Sequence, residues 1–302
     1  MQKLPLAANL IEVGLRDGIQ SEKIIIPTSE KVSLISHMNN CGIKMAQVTS
    51  FVHPKKVPQM ADAENFLAAI ADMPILCSGL VLNKRGLERA LDTQLKMIDL
   101  SMSLSNTHSQ KNTGLSLVQA HEDMLSMVEI VKKVGKRVRL GLQCVFGCAF
   151  EGHIPLDRIL EVALDFSRVG VDYLSLADTT GMANPQQVER VLTAIKGEIA
   201  DVPLICHFHD NRGLAMANMY AALKVGVNHF DTSMGGVGGC PALPHASGNL
   251  ATEDAAACLE AMGISTGIDV AKFCQGTAIL EQRLGRQLAG KVRHLYVEEK
   301  VG

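Results

Sequence analysis

The sequence contains no tryptophan, and only 4% of its 302 residues are aromatic. Single-stranded nucleic acid is held largely by stacking bases on aromatic side chains, so this scarcity argues against such a partner. Neither sign of charge dominates: 29 Lys and Arg stand against 31 Asp and Glu, a formal net charge of −2. Phosphate backbones demand clustered cations, and a near-balanced chain does not offer them. No apolar run approaches the roughly 20 residues needed to cross a membrane as a helix. The amino-terminal MQKLPLAANLIEVG reaches the acidic Glu12 after a weak apolar stretch and shows no small-residue cleavage site, so it does not read as a secretory leader. Eight cysteines, at 41, 77, 144, 148, 206, 240, 258 and 274, include no Cys-x-x-Cys pair. Reduced thiols and a cytoplasmic location are expected. Repeats, low-complexity tracts and linkers are also missing.

What remains is a hydrophobic share of 47% and a charged share of 20%, enough to build a sizeable core. Eight apolar, β-rich runs recur at 11–16, 45–50, 74–81, 97–104, 138–145, 173–177, 204–208 and 229–233. Helical spacing fills 29–41, 62–72, 116–134, 155–169, 185–200 and 213–225 between them. Pro155 and Pro185 fall near helix starts, where a missing N–H is harmless. Gly42, Gly135, Gly170 and Gly226 follow helical stretches, as carboxyl-terminal caps do. This alternation predicts a single (β/α)8 TIM barrel over residues 1–302, with two extra helices after Ala255. A doubly wound open sheet is the competitor, but the first strand runs into Arg16-Asp17-Gly18 and not into a Gly-x-Gly-x-x-Gly turn.

A barrel collects its chemistry at the carboxyl ends of its strands. The first of these ends in Arg16-Asp17-Gly18-Ile19-Gln20, the second in Gln47-Val48-Thr49-Ser50. The sixth ends in Asp178-Thr179-Thr180, and the seventh in His207-Phe208-His209. Strand residues two apart share a face, so both imidazoles of His207-x-His209 can point into the mouth. Structural histidines also produce such pairs. With Asp17 and Asn249 in neighbouring loops, the set suits a divalent cation of the Mg2+ or Mn2+ type. Arg16 is either a surface partner of Asp17 or an inward cation able to hold an enolate or carboxylate oxygen. The run from Thr232 to Thr252, with five Gly and two Pro, reads as a long loop over the mouth, its mobile Gly-rich part at 235–248. Cys240 in this loop is either one inert thiol among eight or a catalytic one. His53 and His245 are candidate mouth residues; His37 and His121 fall in helices.

Four segments, VGLRDGIQSEK (13–23), TSFVHPKKVPQM (49–60), HFHDNRGLAMAN (207–218) and GGVGGCPALPHASGNLATED (235–254), resemble the 3-hydroxy-3-methylglutaryl-CoA lyase family of metal-dependent barrels. The resemblance extends from about residue 11 to 267. It implies a retro-Claisen carbon–carbon lyase acting on a 3-hydroxyacyl-CoA, with 3-hydroxy-3-methylglutaryl-CoA the leading substrate. It also implies a homodimer, a divalent cation, and no organic cofactor beyond the CoA thioester itself. By position, Asp17, His207, His209 and Asn249 match the metal ligands. Arg16 matches the catalytic arginine, Cys240 the loop cysteine and Asp178 a mouth aspartate. His207 or Asp17 would relay the hydroxyl proton. Gln20 and Gln47 would meet substrate, and Lys111 and Asn112 fall where the family has a loop at the CoA end.

One departure from the pattern matters, though residues 143–150 and the pair Asn211-Arg212 also differ in detail from established members. Gln47 stands where established family members carry Glu, which keeps the shape and removes the charge. A shorter thioester such as citramalyl-CoA or methylmalyl-CoA is therefore the alternative substrate. A Claisen-condensing acyltransferase is a further reading, and a barrel kept only for binding a last one.

Overall fold

The structure, a computed structural model, describes residues 3–199, 201–238 and 248–296. The eight apolar runs form β1 (Asn9–Glu12), β2 (Met45–Ser50), β3 (Leu76–Val81), β4 (Met97–Ser103), β5 (Arg137–Gln143), β6 (Tyr173–Asp178), β7 (Leu204–Phe208) and β8 (His229–Thr232). Each pairs in parallel with the next, and β8 closes on β1 from Asn9 opposite His229 to Glu12 opposite Thr232. The sheet is a closed barrel, so the open-sheet alternative falls.

Helices cover the outside as α1 (Thr28–Asn40), α2 (Ala63–Ala69), α3 (Lys84–Leu91), α4 (Asn106–Thr113), α5 (Leu117–Lys133), α6 (Leu156–Arg168), α7 (Pro185–Glu198) and α8 (Ala215–Lys224). Two more, α9 (Thr252–Ala261) and α10 (Val270–Leu284), follow the last strand as expected. Gly42, Gly135, Gly170 and Gly226 all adopt positive φ. Asn184 caps α7 by accepting from the Gln187 N–H, one residue before Pro185.

Helices α3 and α4 carry little helical signal in the sequence. The first contains Gly86; the second, NTHSQKNT, is built from poor helix formers. Their termini compensate. Asn83 accepts from the Gly86 N–H at 2.9 Å, Ser105 accepts from the His108 N–H at 3.1 Å, and α4 stops at Gly114 with φ +81°.

The first strand is shorter than expected, ending at Glu12 and not at residue 16. The chain then makes a five-residue π-type turn, Gly14–Gly18. The Glu12 carboxyl group enforces this: it accepts from the N–H groups of Gly14 and Met234, each at 2.9 Å, and from the Thr252 hydroxyl at 2.6 Å. A Cβ on Gly14 would lie 2.5 Å from Glu12 Oε1, so a side chain there would displace the carboxyl group that holds the turn. Arg16 and Asp17 thus leave the strand and sit on a tight helical ledge above it.

Alternation along the strands stacks the barrel interior in layers. The amino-terminal end is plugged by Ile11, Val13, Met45, Met97 and Ile205, with Leu76 and Tyr173 against them. Two residues further along β2 to β8 the layer turns polar: Gln47, Ser78, Asp99, Arg139, Ser175, His207 and Asp231, all buried. Above it the cavity opens between Leu80, Ser101, Gly141, Ala177 and His209.

Candidate active site

Strand β7 carries His207, and His209 follows directly after it, their rings 4.9 Å apart. Asp17, on the ledge after β1, brings Oδ2 to 3.9 Å from His207 Nε2 and 3.8 Å from His209 Nε2. Asn249 forms an isolated antiparallel bridge with His209 and donates its Nδ2 to Asp17 Oδ2 at 3.0 Å. The four residues expected as ligands therefore meet at one point, all buried.

Each imidazole is held by an acceptor at its other nitrogen. His207 Nδ1 lies 3.0 Å from Asp231 Oδ2, and His209 Nδ1 lies 2.9 Å from the Asp178 carbonyl. Both partners accept only, so both rings carry their proton on Nδ1 and direct the Nε2 lone pair toward Asp17. Burial, with His207 adding to it, pushes His209 down to about 4, so it is neutral at pH 7. Burial pushes the Asp17 carboxyl up, but Arg16, the two histidines and the Asn249 amide outweigh it and hold it well below the usual range.

A carboxylate oxygen and two ring lone pairs thus face one another, their ligand atoms within 4.8 Å. Asn249 Oδ1 is buried without a partner, and a half-turn of the amide would bring it beside Asp17. Acceptors gathered this way call for a positive ion. The N/O donor set fits a divalent cation.

Arg16 is fixed on two sides. Nη1 donates to Asp17 Oδ1 at 2.7 Å, and Nε donates to Gln47 Oε1. Of the two readings of Arg16, the inward one holds: its guanidinium lines the mouth cavity. Gln20 supports the ledge by donating to Asp17 Oδ1 at 3.1 Å. Gln47 and Asn112 line the same cavity, whose empty volume is about 1040 Å³.

The remaining expected residues are placed differently. Asp178 is buried, with Oδ1 accepting from the N–H groups of Met182 and Ala183 at 2.8 and 3.1 Å, which organises the turn after β6. Burial raises it to about 6. Its carbonyl, not its carboxyl, orients His209. Lys111 and Asn112 lie in the last turn of α4 and not in a loop. The Lys111 ammonium sits 3.9 Å over the Phe150 ring, while Asn112 reaches Gln143 at 3.4 Å. His53 is exposed and does not line the cavity. Cys240 and His245 fall outside the described residues, as does most of the Gly-rich run 235–248.

Sequence reading missed the polar layer beneath. Arg139 Nη2 donates to Asp231 Oδ2 and, at 3.1 Å, to Ser175, while Nη1 lies 3.9 Å from Asp99. The Ser78 hydroxyl donates to Asp99 at 2.9 Å, and Gln47 Nε2 donates to the same oxygen. The available signal was a charge inside each of three largely apolar strands, Asp99 in MIDLSMS, Arg139 in RVRLGLQ and Asp231 in HFDT.

A closed parallel barrel with a possible metal-binding triad at its carboxyl mouth has its candidate site where barrel enzymes carry theirs. The profile of the HMGL-like family matches residues 7–279. A hydroxymethylglutaryl-CoA lyase of Bacillus subtilis is 37% identical over 288 residues, spanning 95% of this chain and 96% of the relative. A Pseudomonas aeruginosa 3-hydroxy-3-isohexenylglutaryl-CoA/hydroxymethylglutaryl-CoA lyase is 35% identical over 268 residues, spanning 88% and 89%. The solved structure of an HMG-CoA lyase from Acinetobacter baumannii, in complex with coenzyme A and 3-methylmalate, superposes with a TM-score of 0.92 at 33% identity. That superposition covers 100% of this chain and 99% of the other. The chain belongs to the HMGL-like family and is a carbon–carbon lyase.

Proposed function

We propose that the protein cleaves 3-hydroxy-3-methylglutaryl-CoA to acetyl-CoA and acetoacetate with Mg2+ or Mn2+ at Asp17, His207, His209 and Asn249. The observation that carries this reading is the convergence of those side chains beside the Arg16 guanidinium. A divalent cation bound there would supply Lewis acidity, lowering the pKa of the substrate's 3-hydroxyl.

In the reaction the hydroxyl loses its proton and the C2–C3 bond breaks. C3 becomes the ketone of acetoacetate, and the bonding pair passes to C2 as the acetyl-CoA enolate. On the resemblance, His207 or Asp17 relays the hydroxyl proton; with His207 Nδ1 backed by Asp231 and its Nε2 turned to the cation, the Asp17 carboxylate is the group left to take it. Arg16, fixed at two of its nitrogens, holds the thioester oxygen while negative charge gathers on it. On the resemblance, Cys240 returns a proton to C2. On the resemblance, Lys111 and Asn112, at the close of α4, meet the CoA end of the substrate. The seven described cysteines are free thiols, which suits a cytoplasmic enzyme, and the resemblance adds a homodimer.

Gln47 gives the second reading its basis, because an amide where the family carries a carboxylate changes the charge balance of the cavity and can admit a different acid. The test is acetyl-CoA release by wild type and Cys240→Ser with Mn2+ or Mg2+, offering hydroxymethylglutaryl-CoA and citramalyl-CoA in parallel. Faster wild-type cleavage of the first, lost in the variant, is expected. Preference for the second would transfer the reaction to the shorter acid. Full activity of Cys240→Ser would remove the thiol from the mechanism.

A further inference from the structure

The arginine of this site is oriented by an amide, and an amide has no orientation of its own. Gln47 offers an acceptor at one end and donors at the other, and turning it over exchanges them. Here the sense is dictated from both sides. Arg16 only donates and takes Oε1; Asp99 Oδ2 accepts from Gln47 Nε2 and from the Ser78 hydroxyl, with the Arg139 guanidinium beside it opposing the upward push of burial on this carboxyl group. Asp99 sits on β4 with its side chain buried, and it is held there by the Ser78 hydroxyl and the neighbouring Arg139.

We propose that Asp99 is the positioning residue for Arg16, acting through Gln47. It touches neither the ligand cluster nor Arg16 directly. Its carboxylate makes Oε1 the only face that Gln47 can present to the guanidinium. The pair 47 and 99 is matched in charge as well as in shape. A carboxylate at 47 would face the carboxylate at 99 in a buried layer, where two like charges in contact are costly. An amide at 99 would place a donor where only acceptors stood, leaving Gln47 free to turn its oxygen away from Arg16.

The inference rests on the proposed role of Arg16 at the thioester oxygen, and its test separates the two. Wild type, Asp99→Asn, Gln47→Glu and the double variant are compared for kcat and KM with hydroxymethylglutaryl-CoA and Mn2+. Phenylglyoxal labelling of Arg16, followed by mass spectrometry, is read on the same four proteins without substrate. Each single change is expected to lower kcat by about 10- to 100-fold, with a smaller effect on KM, because the loss is one of orientation in the transition state. Asp99→Asn should also label faster at Arg16. The double variant should recover most of both: Glu at 47 accepts from Arg16, and Asn at 99 donates to that Glu.

A purely structural Asp99 would not be rescued by this exchange. Wild-type kcat in Asp99→Asn, or a double variant no faster than the slower single, would overturn the inference. If the wild type cleaves neither thioester, the functional reading fails by itself. Labelling then still decides: faster labelling in Asp99→Asn, reversed in the double variant, supports the positioning role, and equal rates in all four proteins remove it.

Discussion

Single side chains at this site are set by what stands behind them. His207 and His209 are oriented because Asp231 and the Asp178 carbonyl hold their Nδ1 atoms, and burial keeps His209 neutral. Glu12 shows the same dependence away from the chemistry. Burial lifts it from 4.5 to about 7, against the pull of the Thr252 hydroxyl and two backbone N–H groups. A folded-state pKa above the unfolded one means that the folded chain holds this proton more tightly. The stabilisation is then complete below about pH 4.5 and lost as pH rises toward 7, an effect on the order of 3 kcal/mol. Glu12→Gln cannot titrate, so its thermal midpoint should fall less than that of the wild type between pH 4.5 and 8. Parallel pH profiles of the two proteins would refute the assignment. Nothing in the sequence marks Glu12 as buried; it looks like an ordinary polar residue at a strand end.

Elements place these side chains through backbone contacts as tight as any in the core. The segment carrying Asn249 enters beside the end of β7, with the Gly248 carbonyl accepting from the Asp210 N–H, and a bridge to His209 follows. A Cβ on Gly248 would lie 1.8 Å from the Gly236 carbonyl oxygen, and both partners there are backbone. Gly248→Ala must therefore displace the segment, and Asn249 with it. Such a variant is expected to fold while binding Mn2+ at least about 10-fold more weakly, a loss of the size that attends disturbed ligand positioning. Calorimetric titration would measure it, and unchanged affinity would exclude Asn249 as a ligand. Strand β7 was legible because His-x-His makes sense only with period two. The π-type turn after β1 was not, since its cause is a carboxyl group that reaches across to Met234 and Thr252.

For the molecule as a whole, closing eight strands on one another brings residue 17 to within 4 Å of residues 207 and 209. A cation bound there joins the first strand's ledge to the seventh strand and should stabilise the entire barrel. At a Mn2+ concentration about 100 times its Kd the linkage amounts to about 2.7 kcal/mol, readable as a rise of several degrees in Tm. Asp17→Asn or His209→Ala should abolish the rise even in the absence of substrate. A cation-induced shift persisting in both variants would place the ion elsewhere.

Much of this was settled along the chain. Strand and helix order follow from local periodicity and turn residues, which act over a few neighbours, and the barrel follows from their alternation. Asp17, His207, His209 and Asn249 were recognisable as candidate ligands because such residue types are few in kind and keep short spacings within each strand or loop, and the fold brings the four together. The polar layer of Gln47, Asp99, Arg139 and Asp231 belongs to tertiary structure alone. Its members lie on four different strands, each reads in sequence as an isolated polar residue, and only barrel closure turns them into partners. The orientation of Arg16 is decided there too, because hydrogen-bond direction depends on which groups meet in space and not on their order along the chain.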